Sequence, residues 1–560
     1  IGRQALYSAT TGGGNVAVGS TAMYLTTGID NISLGASTLR YNTTGSSNTA
    51  LGTQSLHHNT TASYNTAVGY RGQYLNTTGI RNDTLGALAL HSNTTGSYNT
   101  AIGMNSLFDN TTGGYNVAIG YTALYNNTTG SYNTAVGQGA GYNTTTSEAN
   151  VYVGRDAGYY STTGTNTAVG AYALVSTSGA SPSGNSAFSY QALNVCSGNN
   201  NTGLGYQALR SNTTASHATA VGYQAMYSNT TGYGTAVGAF ALDANTTGTH
   251  NTSIGSSSLS ANNTGSYNSV LGHHALASNT TGSDNVAVGY QAGFSNTTAN
   301  NNTFVGENAG YANTSSGNQA FFGEYAGRST TASNNTFIGQ QSGHLITTGA
   351  NNTILGRFSG NYGGLDIRSS QNYIVLADGD GNPRVVVNNV GHLTHGQAYP
   401  NATNVGFSVR YQGTVINTVD SQAALELRRI GTGAAGSIAL FRYASTIVGS
   451  IAVDANSTAY NTSSDYRLKE NVSYTWDATT RLKQLKPARF NFIADPDTTV
   501  DGFLAHEAQA VVPECVTGAK DAVDADGNPE YQGIDQSKLV PLLVKTIQEL
   551  EARITALEGA

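Results

Sequence analysis

Asn133-Thr134-Ala135-Val136-Gly137 belongs to a motif that governs most of this chain, preceded by Ala123-Leu124 and by Asn127-Thr128-Thr129-Gly130-Ser131-Tyr132. The unit is close to NTAVGYxALxxNTTGSY and repeats over residues 1 to about 356. Its glycine recurs at Gly2, Gly19, Gly35 and Gly52, onward to Gly170, and again from Gly205 to Gly356, at steps of 17 or sometimes 16 residues. One 19-residue step separates Gly170 from Ser189, which stands in the glycine position. Units this short cannot each hold a core, so they are read as 22 coils of one solenoid.

Strand is favoured over helix because Asn, Thr and Gly punctuate every unit, and these are poor helix formers and good turn formers. Asn133–Gly137 reads as a short strand and Ala123-Leu124 as a second apolar patch. Each coil is expected to bury one branched residue, such as Val136, with its Ala-Leu pair. That is too little alone, so stacked coils and neighbouring chains must supply the rest. An asparagine stands four residues before the glycine at Asn15, Asn31, Asn48 and Asn65, and on through Asn185 and Asn201. Coils stacked about 4.8 Å apart place these amides in a ladder, along a rod on the order of 100 Å long. Ala218, Gly234 and Gln319 interrupt the column, and local irregularity is expected there.

Tyrosines recur just before that asparagine (Tyr64, Tyr98, Tyr115, Tyr132, Tyr267) and just after the glycine (Tyr70, Tyr121, Tyr206, Tyr223, Tyr290). Packing between coils or chains is the leading explanation, and stacking on sugar rings the alternative. The repeated Asn-Thr-Thr reads as turn chemistry, although it also matches the N-glycosylation sequon.

Only 10% of the residues are charged, against roughly 25% in ordinary soluble domains. All six lysines lie at or beyond Lys469, which marks a composition break near Ser464. A net charge of −7 without a basic run argues against nucleic-acid binding. No apolar run is long enough for membrane insertion. Cys196 and Cys515 lack metal or disulfide spacing and are read as free thiols. Neither a cofactor nor a metal site is expected. The chain begins inside a repeat unit, at Ile1-Gly2, so its natural N-terminus is expected to lie upstream, together with any secretion signal, anchor or virion-attachment domain.

After Gly356 the register stops. Tyr373–Leu376 and Arg384–Val387 flank Asp378-Gly379-Asp380-Gly381-Asn382-Pro383, a hairpin signature. Asp378, Asp380 and Asn382 imitate the opening of a calcium loop, but Asn389 stands where its closing Glu belongs. His392 and His395, and the pairs His57-His58 and His273-His274, read as surface residues rather than ligands. Ser437–Phe441 and Ile447–Val453 are β-rich.

Beyond this point lies Ser463-Ser464-Asp465-Tyr466-Arg467-Leu468-Lys469-Glu470-Asn471. It is followed by Leu482–Pro487, Arg489–Phe492, Gly502–Glu507, Val512–Glu514 and Tyr531–Asp535. In that order these blocks resemble the intramolecular chaperone auto-processing domain that ends phage tailspikes and tail fibres, including endosialidases. The resemblance implies a homotrimer whose C-terminal domain assists folding and then cuts itself off. It assigns a catalytic dyad to Ser464 and Lys469, with Ser463 and Asp465 beside the cut and His506 and Glu507 as supporting candidates. A lysine amine acts as base only if burial or nearby cations bring its pKa from about 10.4 toward about 7 or 8. Similar stretches before the cut site form an intertwined triple-stranded stalk. The repeats resemble the heads of trimeric autotransporter adhesins, which implies a left-handed β-roll trimer.

From Ser537 the chain reads as a helix, with Val540, Leu543, Ile547, Leu550, Ile554 and Leu557 forming a heptad seam. The expected fold is mostly β: a trimeric parallel β-solenoid over 1–356, a hairpin spacer and β-stalk over 357–463, and a small α+β chaperone domain over 464–560 ending in helix 537–558. The leading function is a virion tail fibre or tailspike that binds a cell-surface glycan or protein receptor, with one serine-lysine self-cleavage as its enzymatic activity. The alternatives are an extracellular or cell-surface adhesin or nanofibre with the same chaperone, and a polysaccharide-degrading tailspike.

Overall fold

The computed structural model describes residues 1–162, 164–177, 182–391, 393–395, 407–409, 436–443, 446–453, 457–524 and 527–560. They fall into two compact units, residues 1–424 and 425–560. His392 lies outside the described residues.

The first unit is a parallel β-solenoid. Twenty-one described strands of three or four residues, from Val16–Val18 to Thr353–Leu355, pair each with the next coil in parallel. The register follows the repeat: Thr134 opposes Val151 and Ala135 opposes Tyr152. The other sides of the coil are also bonded upward, for example Leu124 N to Ala140 O at 2.9 Å and Thr128 N to Thr145 O at 2.8 Å. Glycine follows each of these repeat strands except Ser186–Phe188, where Ser189 takes the position with φ +110°, and two features favour it. Gly137 has φ +135°, and a Cβ there would lie 2.6 Å from the Gly154 carbonyl oxygen of the next coil.

The expected amide ladder is present. Asn133 N donates to Asn116 Oδ1 at 3.0 Å, and Asn150 N to Asn133 Oδ1 at 3.0 Å. At Gln319 the longer side chain carries the ladder on, its Oε1 accepting from Asn335 N at 3.0 Å. At Gly234, which has no amide, the strand lengthens by one residue and Gly234 pairs with Asn251. At Ala218 the backbone N–H still takes Asn201 Oδ1 at 2.9 Å, and strand pairing stays in register.

A second ladder was not anticipated. The asparagines of Asn-Thr-Thr, except Asn143, whose place Thr144 takes, turn inward and are wholly buried; Asn127 Nδ2 donates to Asn110 Oδ1 at 2.7 Å and to Gly130 O at 3.0 Å. Gly130 O also accepts from Asn116 Nδ2 at 2.9 Å, so one carbonyl is held by amides from two coils. Side chains buried in this way offer no acceptor for a glycan in the folded rod.

The expected core needs one correction. The strand residue facing inward is alanine in 11 of the 21 described strands, and elsewhere a residue such as Ser33, Thr84, Val270 or Ile354, whereas Val136 and its equivalents face outward. The buried leucine of Ala-Leu fills the interior from the opposite side. That leucine adopts the left-handed backbone, as at Leu124 with φ +49°. Where the inward strand residue is aromatic, glycine replaces the leucine. Tyr152 fills the space beside Gly141 and Gly158, Phe304 beside Gly293 and Gly310, Phe321 beside Gly327, and Phe337 beside Gly343.

Half-buried rings form another column, Tyr74, His91, Phe108, Tyr125, Tyr142 and Tyr159, stacked at 4.9–5.3 Å. His57 joins it at 5.1 Å from Tyr74, and is buried rather than on the surface as expected. The solenoid sheet outlasts the repeat. Ile374–Ala377 pairs in parallel with Thr353–Leu355, then turns back as the expected hairpin with Pro383–Val387. Asp378 is occupied by Asn382 and by an ion pair with Arg384, and no metal-binding cluster is found among the described residues.

In the second unit, Gly436–Tyr443, Thr446–Val453 and Thr458–Thr462 form an antiparallel meander within one chain. Helices α1 (Ala478–Leu482), α2 (Ala505–Val511) and α3 (Val540–Glu558) follow among short antiparallel pairs. Their small core comprises Ala478, Leu485, Ala508, Val512, Cys515, Val516, Leu539 and Leu542.

Two predictions follow from the solenoid interior. Phe337→Ala is expected to cost about 3–5 kcal/mol, and adding Gly343→Leu to recover much of it, since sibling coils hold leucine in that backbone conformation. Chemical denaturation of the two variants checks this. For His57, burial, followed by His58, Arg40 and Arg71, pushes the pKa down to about 4. The unfolded histidine protonates near about 6.5, so stability from this site falls as pH drops from about 6.5 toward about 4. Thermal melting of His57→Phe should lose less stability than wild type over that interval.

Candidate functional site

Ser464 and Lys469 are brought together by a local turn. The strand Thr458–Thr462 pairs with Thr446–Val453, and one residue beyond it Ser463 N donates to Val448 O at 3.2 Å. The segment carrying the expected cut is thereby fixed to a sheet edge. Asp465 then caps a single 3₁₀ turn, Tyr466–Leu468, its carboxylate accepting from Arg467 N at 2.9 Å. Lys469 N closes the turn onto Tyr466 O at 3.1 Å. The compact turn brings the two ends of this six-residue segment face to face, and Lys469 Nζ donates to Ser464 Oγ at 2.7 Å.

Asp465 does not contact the hydroxyl in this arrangement. Its carboxylate is held by Arg467, with Nε to Oδ1 at 3.0 Å and a terminal nitrogen to Oδ2 at 2.7 Å. Those hydrogen bonds keep it well below the usual carboxylate range, and nearby Lys469 adds to the effect. Ser464 and Lys469 are both exposed in the single chain.

His506 and Glu507 occupy the first turn of α2, and Glu507 lies 3.7 Å from Lys486 Nζ. No hydrogen bond or ion pair among the described residues joins either of them to Ser464 or Lys469. Cys515 is buried in the small core, in agreement with a packing role, and Cys196 is buried in the solenoid.

Residues that the sequence reading passed over tie this unit together. Arg481 of α1 donates from Nε to Val511 O at 2.9 Å and from a terminal nitrogen to Glu514 at 3.0 Å. Glu549 of α3 accepts from Ala478 N at 3.0 Å and from Thr479 N at 2.8 Å. An apolar cleft of about 360 Å³ lies among Leu482, Leu485, Pro487, Phe503, Gln536, Leu539 and Leu543.

The seam of α3 lies open. Val540, Leu543, Ile547, Leu550, Ile554 and Leu557 are all exposed, whereas Leu542 and Thr546 on the flanking face are buried. The solenoid has an equivalent open surface. The last residue of each of its 21 described strands is Val, Ile, Leu or Phe, and Leu34, Leu85, Leu271 and Leu355 are each about half exposed. Apolar side chains thus recur at the same place in successive coils.

The tyrosine rows also lie outside, but their geometry weakens the sugar-stacking alternative. Tyr98, Tyr115 and Tyr132 stack on one another at 4.7 and 5.1 Å, nearly parallel, as do Tyr206 and Tyr223 at 5.3 Å. Rings arranged so cover each other's faces and leave their edges to solvent.

No helix among the described residues is long and apolar enough to cross a membrane. No curated protein and no solved structure is matched by the chain. Residues 464–517, which begin at the serine of the Ser464–Lys469 pair, match the family model Peptidase_S74, described as chaperone of endosialidase.

Proposed function

We propose that the chain is a homotrimeric fibre of the tail-fibre or tailspike kind, located on a virion, whose C-terminal domain assists assembly and is released by one serine-lysine self-cleavage. The observation that carries this reading is the 2.7 Å contact between Lys469 Nζ and Ser464 Oγ at the first residue of the matched segment. A neutral Lys469 accepts the Ser464 hydroxyl proton as Oγ attacks the carbonyl carbon of Ser463. The Ser463–Ser464 amide bond breaks, its nitrogen takes the proton, and an ester links Ser463 to Ser464 Oγ. Water hydrolyses the ester, leaving a carboxylate on Ser463 and a new chain beginning at Ser464. A cut just after Ser464 is the alternative that fragment masses separate.

Lys469 is exposed in the single chain, so the burial that a lysine base requires has to come from neighbouring copies. The open seam of α3 and the apolar stripe of the solenoid support that reading, since parallel copies would cover both. Cleavage then reports assembly. The solenoid is the part that meets a cell-surface receptor, and the stacked tyrosines favour contacts through ring edges and hydroxyls over sugar stacking.

Intact-mass analysis of the full chain is expected to give two fragments meeting at Ser464, with Ser464→Ala and Lys469→Ala remaining whole. An uncut wild-type trimer would withdraw the peptidase and leave a permanent trimerisation cap. Ile547→Asp combined with Ile554→Asp is expected to give a monomer by light scattering and to abolish cleavage, because neither residue packs within its own chain.

A further inference from the structure

Glu549 is the last half-buried residue of α3; from Leu550 onward the helix is exposed. It sits beside the seam but points the other way, in line with Leu542 and Thr546 on the face that packs on its own domain. Its Oε1 accepts from Ala478 N at 3.0 Å, while Oε2 accepts from Thr479 N at 2.8 Å and Thr479 Oγ1 at 2.7 Å. Three donors on one carboxylate bind α3 to the start of α1. That start is reached from Lys469 by residues 470–477, which contain no strand or helix. Helix α1 has a separate cap, Asp477 Oδ1 accepting from Thr480 N at 3.0 Å, so Glu549 is not needed to begin the helix. Its bonds serve to register one helix on the other.

From this geometry we infer that Glu549 is a positioning residue that couples association of the α3 helices to the Ser464–Lys469 pair. Packing the seam fixes α3, the three hydrogen bonds carry that placement to α1, and α1 anchors the connector that ends in Lys469. Arg481 extends the same link to the corner after α2 through Val511 O and Glu514. The inference rests on the self-cleavage reading.

The test uses the full chain, with oligomeric state, hydrogen exchange at Ala478 and Thr479, and cleavage rate measured together. Glu549→Gln retains the shape but presents an amide NH₂ to part of the donor set. It is expected to remain assembled, to exchange faster at both amides, and to cleave more slowly by on the order of tenfold or more. Thr479→Ser, which keeps the hydroxyl donor, is expected to cleave like wild type, and Thr479→Val at an intermediate rate. Wild-type cleavage by an assembled Glu549→Gln chain would overturn the coupling. So would loss of assembly and cleavage in equal measure, which would make Glu549 a folding contact only. An uncut wild type would instead overturn the self-cleavage reading and remove the basis for the coupling, whatever the variants do.

Discussion

Hydrogen bonding between successive coils is the constraint on which the solenoid depends. A coil of this size encloses almost no apolar volume, and two of its inward side chains are asparagines. Buried amides left without partners would each cost about 1–3 kcal/mol. Translation along the rod resolves this, because each amide meets the same amide one coil away, as Asn133 meets Asn116 and Asn127 meets Asn110. The arrangement exists only when coils repeat in register. That accounts for the tolerance of Gln319, which reaches the next coil, and for the strand adjustment at Gly234, which cannot.

The same narrowness sets the rest of the packing. With alanine at the centre of the strand and leucine opposite, the interior is full, and an aromatic ring can enter only where the leucine has become glycine. Although the inward position itself holds a branched side chain at Thr84, Val270 and Ile354, the large apolar residues that end the strands lie outside. Their apolar stripe, together with the open seam of α3, leaves one chain with more uncovered apolar surface than burial within it can remove. Hydrophobic association of copies and the chemistry of the C-terminal segment are thus linked in this reading. The Ser464–Lys469 pair is formed by a local turn and lies exposed in the single chain.

Much of this was legible in the chain. The glycine and asparagine spacings gave the coil length, the parallel sheet and the first ladder, because periodicity in a solenoid is a direct image of its geometry. The Asp378–Pro383 hairpin and the α3 seam were equally local signals, whereas Ser464 and Lys469 stood out only through the resemblance of the blocks around them. What escaped depended on which way a side chain points or on residues remote in sequence. Asn-Thr-Thr reads as turn chemistry until its asparagine is seen to face inward. Val136 and Ala135 are both apolar and adjacent, and only the coil's width decides which is inside. Glu549 and Thr479, seventy residues apart, carry no mutual signal in one sequence.

The sequence by itself determined the repeat, its strand character and the composition break near Ser464, since each is written in spacing or residue type. The candidate dyad came from the resemblance of the blocks that surround it. The tertiary structure decided the second amide ladder, the exchange of leucine for an aromatic ring, the outward apolar stripe and the clamp of Glu549 on α1. Those depend on volume and direction, quantities that arise only when the coils and helices close on one another.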